Sequence, residues 1–215
     1  MSKGRHLGPG VPSKRIAVVD YGVGNLRSVR RGLEHAGAEV EVTGDPNRLA
    51  AASGIVLPGV GAFAPAVEKL RATGLDAFLV AQAHQGQPIL GVCLGYQLLF
   101  ELSYEDGRHA GLGLLPGPVR RLPPVNKVPH MGWNRLRQVR PDVLFEGIAD
   151  RAWFYFVHSY YPELKIGEEI IGTADYGRTL GVVARRGSVA GTQFHPEKSG
   201  AAGLRLYANF VASCH

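Results

Sequence analysis

Cysteine is scarce in this chain: only Cys93 and Cys214 occur in 215 residues. Two thiols so far apart, one of them beside the C-terminal residue, do not make a disulfide framework. Neither belongs to a Cys-x-x-Cys pair, so no metal site and no metal or organic cofactor is expected. Unpaired thiols suit a reducing, cytosolic compartment. Long apolar runs are also missing: none approaches the roughly 18 to 20 residues of a membrane span. Residues 1–14, Met1-Ser-Lys-Gly-Arg-His-Leu-Gly-Pro-Gly-Val-Pro-Ser-Lys14, lack the apolar stretch of a signal peptide and are expected to form a disordered tail. No internal repeat is present. The net charge is +6 and the pI about 9.5. However, the basic residues (Arg27, Arg30, Arg31, Arg120, Arg121, Arg135, Arg137, Arg140) are scattered and carry no helix-turn-helix, zinc or RNA-binding signature. Nucleic acid is therefore not expected as a partner. A solvated face, or a face that meets an acidic protein, accounts for the charge.

What is present is ordinary globular composition, 45% apolar and 20% charged. Residues 15–215 are enough for one α/β domain with a sizeable core. Arg15-Ile-Ala-Val-Val-Asp20, Ala38–Val42, Gly54–Leu57 and Pro88–Val92 read as short strands separated by helical segments, the rhythm of a parallel sheet. From about Gly111 the helical rhythm stops. Strand-like pieces then run over Phe154–Tyr161, Glu169–Ala174, Gly181–Arg186 and Ser188–Gln193, adding antiparallel sheet before a last helix at about Ala201–Ser213.

Chemistry concentrates at three strand ends. Gly91-Val-Cys93-Leu-Gly95 is a Gly-x-nucleophile-x-Gly elbow with cysteine as the nucleophile, predicted to sit between a strand and a helix over Leu94–Leu102. The glycines permit a strained turn that lifts the thiol above the sheet, and a helix N-terminus favours a thiolate. In Gln193-Phe-His-Pro-Glu197, His195 and Glu197 fall on one side of an extended segment, stiffened by Pro196, as a base and its orienting acid. His158, in the aromatic run Trp153–Tyr161, is the rival base. Pro58-Gly-Val-Gly61 follows another strand and brings backbone N–H groups of the kind an oxyanion hole needs. Gly22-Val-Gly24 resembles the start of a dinucleotide fingerprint, but Arg27 holds the third glycine position, and a tight turn is the better reading.

On these residues the chain resembles the class I glutamine amidotransferases over nearly all of residues 15–213. Within the class it is similar to the glutaminase subunits of imidazole glycerol phosphate synthases. Asp20-Tyr-Gly-Val-Gly-Asn-Leu-Arg-Ser28, Pro58-Gly-Val-Gly61, Val128-Pro-His-Met-Gly-Trp-Asn134 and Phe156-Val-His-Ser-Tyr-Tyr161 carry the narrower likeness. The resemblance implies a flavodoxin-like α/β fold, with a central, mostly parallel sheet, helices on both faces, and antiparallel strands in the second half. It implies Cys93 as nucleophile, His195 as general base and acid, and Glu197 as orienter, which demotes His158. Gly59, Val60 and Gly61 would form the oxyanion loop, which in the family is thought to need a partner-induced peptide flip. Gln97, Glu105, Ser159 and Tyr160 would hold glutamine.

The implied partner is a separate (β/α)8-barrel cyclase subunit in a heterodimer, which takes up the ammonia to make imidazole glycerol phosphate and an aminoimidazole carboxamide ribotide in histidine biosynthesis. Met131, Trp133, Asn134, Tyr161 and Lys198 are candidates for the docking face. Tyr96 and Thr192 depart from residues common in the family, without touching the triad. Three other readings compete: a glutaminase of another synthase, which Pro-His-Met-Gly-Trp-Asn opposes; a catalytically idle subunit, which the intact Cys93, His195 and Glu197 oppose; and a cysteine peptidase of similar fold, which Gln97 and the Pro-Gly-Val-Gly loop oppose.

Overall fold

The computed structural model describes residues 14–163 and 169–215. Its main sheet has eight strands in the order β2-β1-β3-β4-β14-β13-β12-β9. Five of them, β1 (Arg15–Val19), β2 (Glu39–Thr43), β3 (Gly54–Leu57), β4 (Ile89–Val92) and β14 (Val189–Thr192), pair in parallel. β13 (Thr179–Arg186), β12 (Ile170–Asp175) and β9 (Arg137–Gln138) continue the sheet antiparallel. The remaining strands lie in two smaller sheets. β8 (His130–Arg135) pairs with β10 (Trp153–His158). β5 (Phe100–Ser103), β6 (His109–Ala110), β7 (Leu115–Arg121) and β11 (Tyr160–Pro162) make a four-stranded sheet in the order β11-β7-β5-β6.

Strand alternation sends side chains to both faces of the main sheet, and helices cover each. Ile16, Val18, Val56, Leu90 and Val92 pack with Val29 and Leu33 of α1 (Leu26–His35) and with Leu206, Tyr207 and Phe210 of α6 (Gly200–Ser213). Ala17, Val19, Ile55, Leu57 and Ile89 point the other way. They meet Leu49 of α2 (Pro46–Ala50), Phe63, Val67 and Leu70 of α3 (Phe63–Ala72), and Leu75 and Leu79 of α4 (Leu75–His84). Strands buried on both faces read as continuous apolar runs, as β1, β3 and β4 do in the sequence.

Three elements differ from the sequence-based expectation. The helix after Cys93, α5, spans only Leu94–Leu98. Its last carbonyls are captured from outside: Leu112 N–H donates to Leu98 O at 2.9 Å, and Leu114 and Leu115 N–H both donate to Leu99 O at 2.9 Å. The chain then leaves as β5. The stretch Phe154–Tyr161 is two strands that break at Ser159 and belong to different sheets. Lys14, expected in the tail, belongs to the fold: its ammonium donates to the carbonyls of Ala212 and Cys214, and its own carbonyl accepts from Glu39 N–H. The rest of the expected tail lies outside the described residues.

The closest approach of backbone to backbone around the elbow occurs where α5 rests on the end of β3. A β-carbon on Gly95 would lie 1.9 Å from the Leu57 carbonyl oxygen. Replacing Gly95 by alanine must push α5 off β3, and should cost about 3 kcal/mol or more of stability. Urea unfolding of Gly95→Ala against the parent checks this; an unchanged midpoint would contradict the packing described.

Candidate active site

Three loops leave the C-terminal edge of the parallel strands β3, β4 and β14, where crossovers in such sheets leave a crevice. Cys93 follows β4 directly, with φ 55° and ψ −109°. A non-glycine residue at positive φ is strained. The strain is held by Cys93 N–H donating to Thr192 O at 2.8 Å, by Gln97 N–H donating to Cys93 O at 3.2 Å, and by the close packing of Gly91 and Gly95. α5 is a single short turn, so no long helix dipole stands behind the thiol, and Cys93 Sγ lies 3.9 Å from Val157 O. Leu94, the residue after the elbow, stands at the first position of α5, where an N–H has no partner within the helix. Leu94 also lines the cavity beside Cys93, and nothing in its apolar side chain signals this backbone position in the sequence.

His195 follows β14. Its Nδ1 lies 2.8 Å from Glu197 Oε1, with the two side chains 3% and 1% exposed. Glu197 Oε2 accepts a hydrogen bond from Tyr207 OH at 3.2 Å. Tyr207 reaches it across α1 because Gly32 has no side chain there: a β-carbon on Gly32 would lie 2.8 Å from the Tyr207 ring. A 3-10 turn over Pro196–Lys198 completes the segment, with Ser199 Oγ donating to His195 O at 2.6 Å. Nε2 of His195 is buried without a well-formed hydrogen bond, and the Cys93 thiol is the neighbour that it meets. Burial opposes charge on His195. The Cys93 sulfur and the Glu197 carboxylate outweigh it and push the imidazole pKa up to about 10. A protonated imidazole beside a thiol is the arrangement that stabilises a thiolate.

Cys93 and His195 open into a cavity of about 320 Å³ that also touches Val60, Gly61, Leu94, Gln97, Glu105, Val157, Ser159 and Tyr160. Gln97, 4% exposed, donates to Tyr160 O at 2.8 Å and to Gln193 Oε1 at 3.2 Å. Glu105 Oε2 accepts from Phe63 N–H at 2.7 Å, and burial raises the carboxyl pKa above its ordinary value. Gly59 does not line the cavity; it is wedged under α5, where a β-carbon would lie 2.8 Å from Gly95 N. Tyr21 OH donates to Pro58 O at 2.8 Å and so ties down the start of the Pro-Gly-Val-Gly loop. The Gly22 region is a tight turn, Gly22 N–H donating to Asp20 Oδ1 at 3.1 Å.

His158 also touches the cavity, but both its nitrogens are committed elsewhere, to Tyr160 O at 2.9 Å and to His130 at 3.0 Å. Burial, then the neighbouring His130, push its pKa down to about 3. Tyr96 is fully buried against Gly191 and Phe100. Of the docking candidates, Met131 and Trp133 are 62% and 53% exposed, Lys198 is exposed and Asn134 half-buried. Tyr161 must be corrected. Beyond the break at Ser159 its side chain turns inward, leaving it 3% exposed under Arg178. Among the described residues no group of three or more His, Cys, Asp or Glu side chains could hold a metal ion. No helix among them is long and apolar enough to cross a membrane.

The chain belongs to the class I glutamine amidotransferase family, whose model, "Glutamine amidotransferase class-I", matches residues 17–214. Its curated relatives narrow this. The chain is 53% identical to the imidazole glycerol phosphate synthase subunit HisH of Moorella thermoacetica, across 91% of this chain and 93% of that one. It is 47% identical to the HisH subunit of Methanosarcina acetivorans, across 94% of this chain and 100% of that one. Among solved structures, a chain of PurLQS from Thermotoga maritima superposes with a TM-score of 0.73 at 19% identity, covering 94% of this chain and 99% of that one. A glutamine amidotransferase from the same organism gives 0.61 at 19% identity, covering 87% and 77%. At such identities these two establish the fold.

His195 has a folded pKa raised above its ordinary 6.5. Its stabilising contribution is therefore fully present below about pH 6.5 and lost as the pH rises toward about 10. The urea midpoint of the parent minus that of His195→Leu should shrink across this window; a difference that grows with pH would contradict the assignment.

Proposed function

We propose that the chain hydrolyses the side-chain amide of glutamine through Cys93, His195 and Glu197 and passes the ammonia to a cyclase subunit that makes imidazole glycerol phosphate. The observation that carries the reading is a buried carboxylate–imidazole pair whose free nitrogen meets the elbow thiol at the wall of a cavity.

In this reading Glu105 faces the substrate's amino group, and Gln97, Ser159 and Tyr160 fix its position. The Cys93 thiolate attacks the amide carbon. The N–H groups of Leu94, Val60 and Gly61 stabilise the oxyanion, on the loop that Gly59 anchors beneath α5. His195 gives its proton to the departing ammonia, the carbon–nitrogen bond breaks, and a thioester remains. His195 then takes a proton from water, whose hydroxide attacks the thioester; glutamate leaves and the thiol is restored. Glu197, held by Tyr207, keeps Nδ1 protonated and Nε2 toward sulfur. Residues 15–215 act as one catalytic domain. No metal or organic cofactor takes part, and free thiols at Cys93 and Cys214 suit the cytosol.

The cyclase, a (β/α)8 barrel in a heterodimer, docks on the outer face of the β8–β10 strand pair. Cross-strand pairing puts Met131 beside Val157, Trp133 beside Tyr155, and Arg135 beside Trp153 on that face. Trp153 is 49% exposed, and the Lys198 ammonium lies 5.8 Å from the Tyr155 ring. An aromatic strip flanked by Arg135 and Lys198 suits a partner face with an acidic rim. Val157 also lines the cavity, so the strip begins where ammonia forms.

Cys93→Ala should abolish glutamate release, and His195→Asn should lower kcat about 100-fold or more. Retained hydrolysis by Cys93→Ala would overturn the mechanism. Trp133→Ala and Lys198→Ala together should weaken cyclase binding about tenfold or more. Undiminished binding and stimulation in that double variant would move the docking face elsewhere.

A further inference from the structure

Two buried histidines take no part in the chemistry above, and their hydrogen bonds point one way. The Tyr160 carbonyl can only accept, so His158 Nδ1, at 2.9 Å, carries the proton and donates. In neutral His158, Nε2 then accepts, and its donor at 3.0 Å is His130 Nδ1. In neutral His130, Nε2 accepts in turn, and Asn134 Nδ2 stands 3.4 Å away. Asn134 is fixed from both sides: Nδ2 also donates to Asp175 O at 3.0 Å, and Oδ1 accepts from Arg135 N–H at 2.7 Å. At the inner end, the Tyr160 carbonyl that receives His158 also receives Gln97 Nε2 at 2.8 Å. The row therefore runs from β8, beside exposed Trp133, to a side chain on the cavity wall.

Packing holds the rings in place. His130 is stacked between Phe156, at 4.7 Å, and Tyr176, at 4.0 Å, and the two histidines are 3% and 6% exposed. Burial pushes the His130 pKa down to about 4, and burial with His130 beside it takes His158 to about 3. Both rings are thus neutral at working pH, and protonation of either would set two N–H groups against each other. Two buried polar rings cost desolvation that an apolar pair in the same space would avoid. What they hold in exchange is the backbone at the break between β10 and β11, where Ser159 and Tyr160 line the cavity.

We propose that His130 and His158 form a neutral two-imidazole relay that positions the Ser159–Tyr160 backbone and Gln97 for glutamine and ties them to Asn134 on β8. The proposal rests on the reading of the cavity as a glutamine site. His130 and His158 are positioning residues, acting through Tyr160 and Gln97.

The test is steady-state glutamate release by the chain with the cyclase subunit and its ribonucleotide substrate present. His158→Leu should raise the KM for glutamine about tenfold or more while kcat changes less than about threefold. His158→Gln, whose amide can accept from His130 and donate to Tyr160 O, should recover most of that loss. His158→Asn, too short to reach both, should not. His130→Leu should raise KM in the same direction. If His158→Leu fails to fold, the contrast between His158→Gln and His158→Asn decides. Equal KM in those two variants, or parental KM in folded His158→Leu and His130→Leu, overturns the relay. A kcat loss at unchanged KM also overturns it, because that would place His158 in the chemical step. A parent protein that releases no glutamate would instead sink the glutamine reading itself, before any variant is compared.

Discussion

The position of β4 between β3 and β14 sets the geometry of the whole site. Gly91 pairs in register with Leu57 on one side and Gly191 on the other. From that shared row the three strands end together, and each releases one part of the chemistry: the Pro-Gly-Val-Gly loop, the elbow thiol, and His195 with Glu197. The contact that holds the row is backbone on backbone. Gly95 sits on the Leu57 carbonyl, and Gly91 and Gly191 admit the Tyr96 ring and backbone beneath the elbow. Side chains at these positions would separate the strands from α5 and carry the thiol and the imidazole apart. The strain at Cys93, held at positive φ, is sustained by this same packing.

The imidazole is supported from behind by a second layer. Glu197 meets His195 on one oxygen and Tyr207 on the other, and Tyr207 can approach only because Gly32 lacks a side chain. A helix near each end of the sequence, α1 and α6, therefore meets at the carboxylate. Neutral histidines and a charged one lie within the same small volume, and the difference is set by neighbours. His195 has an acid on each side. His158 has a second imidazole and a carbonyl. Environment, not residue type, assigns the roles.

Much of this was legible in the sequence because its signals are local. Short apolar runs bounded by glycine and proline marked β1, β3 and β4. The elbow glycines and the His-Pro-Glu segment needed only spacing to be read as thiol, base and acid. What stayed hidden depends on contacts distant in sequence. The apolar periodicity of Leu94–Leu102 is helical, yet the helix stops at Leu98 because Leu112, Leu114 and Leu115 take its carbonyls. Tyr161 shares its alternation phase with Trp153, Tyr155 and Val157. A continuous strand would have placed it on their exposed face, but the break at Ser159 reverses the phase and buries it. Tyr207 and Gly32 gave no sequence signal, since their roles exist only once α1 and α6 are packed.

The most direct test of the central claim, that the elbow thiol is the nucleophile toward a glutamine side chain, is intact-mass analysis after exposure to a diazoketone analogue of glutamine, with the cyclase subunit present. The account predicts one adduct per chain, on Cys93, formed more slowly when glutamine competes and absent from buried Cys214. Labelling at Cys214 or at a histidine, or an adduct on Cys93 that glutamine does not slow, would contradict it.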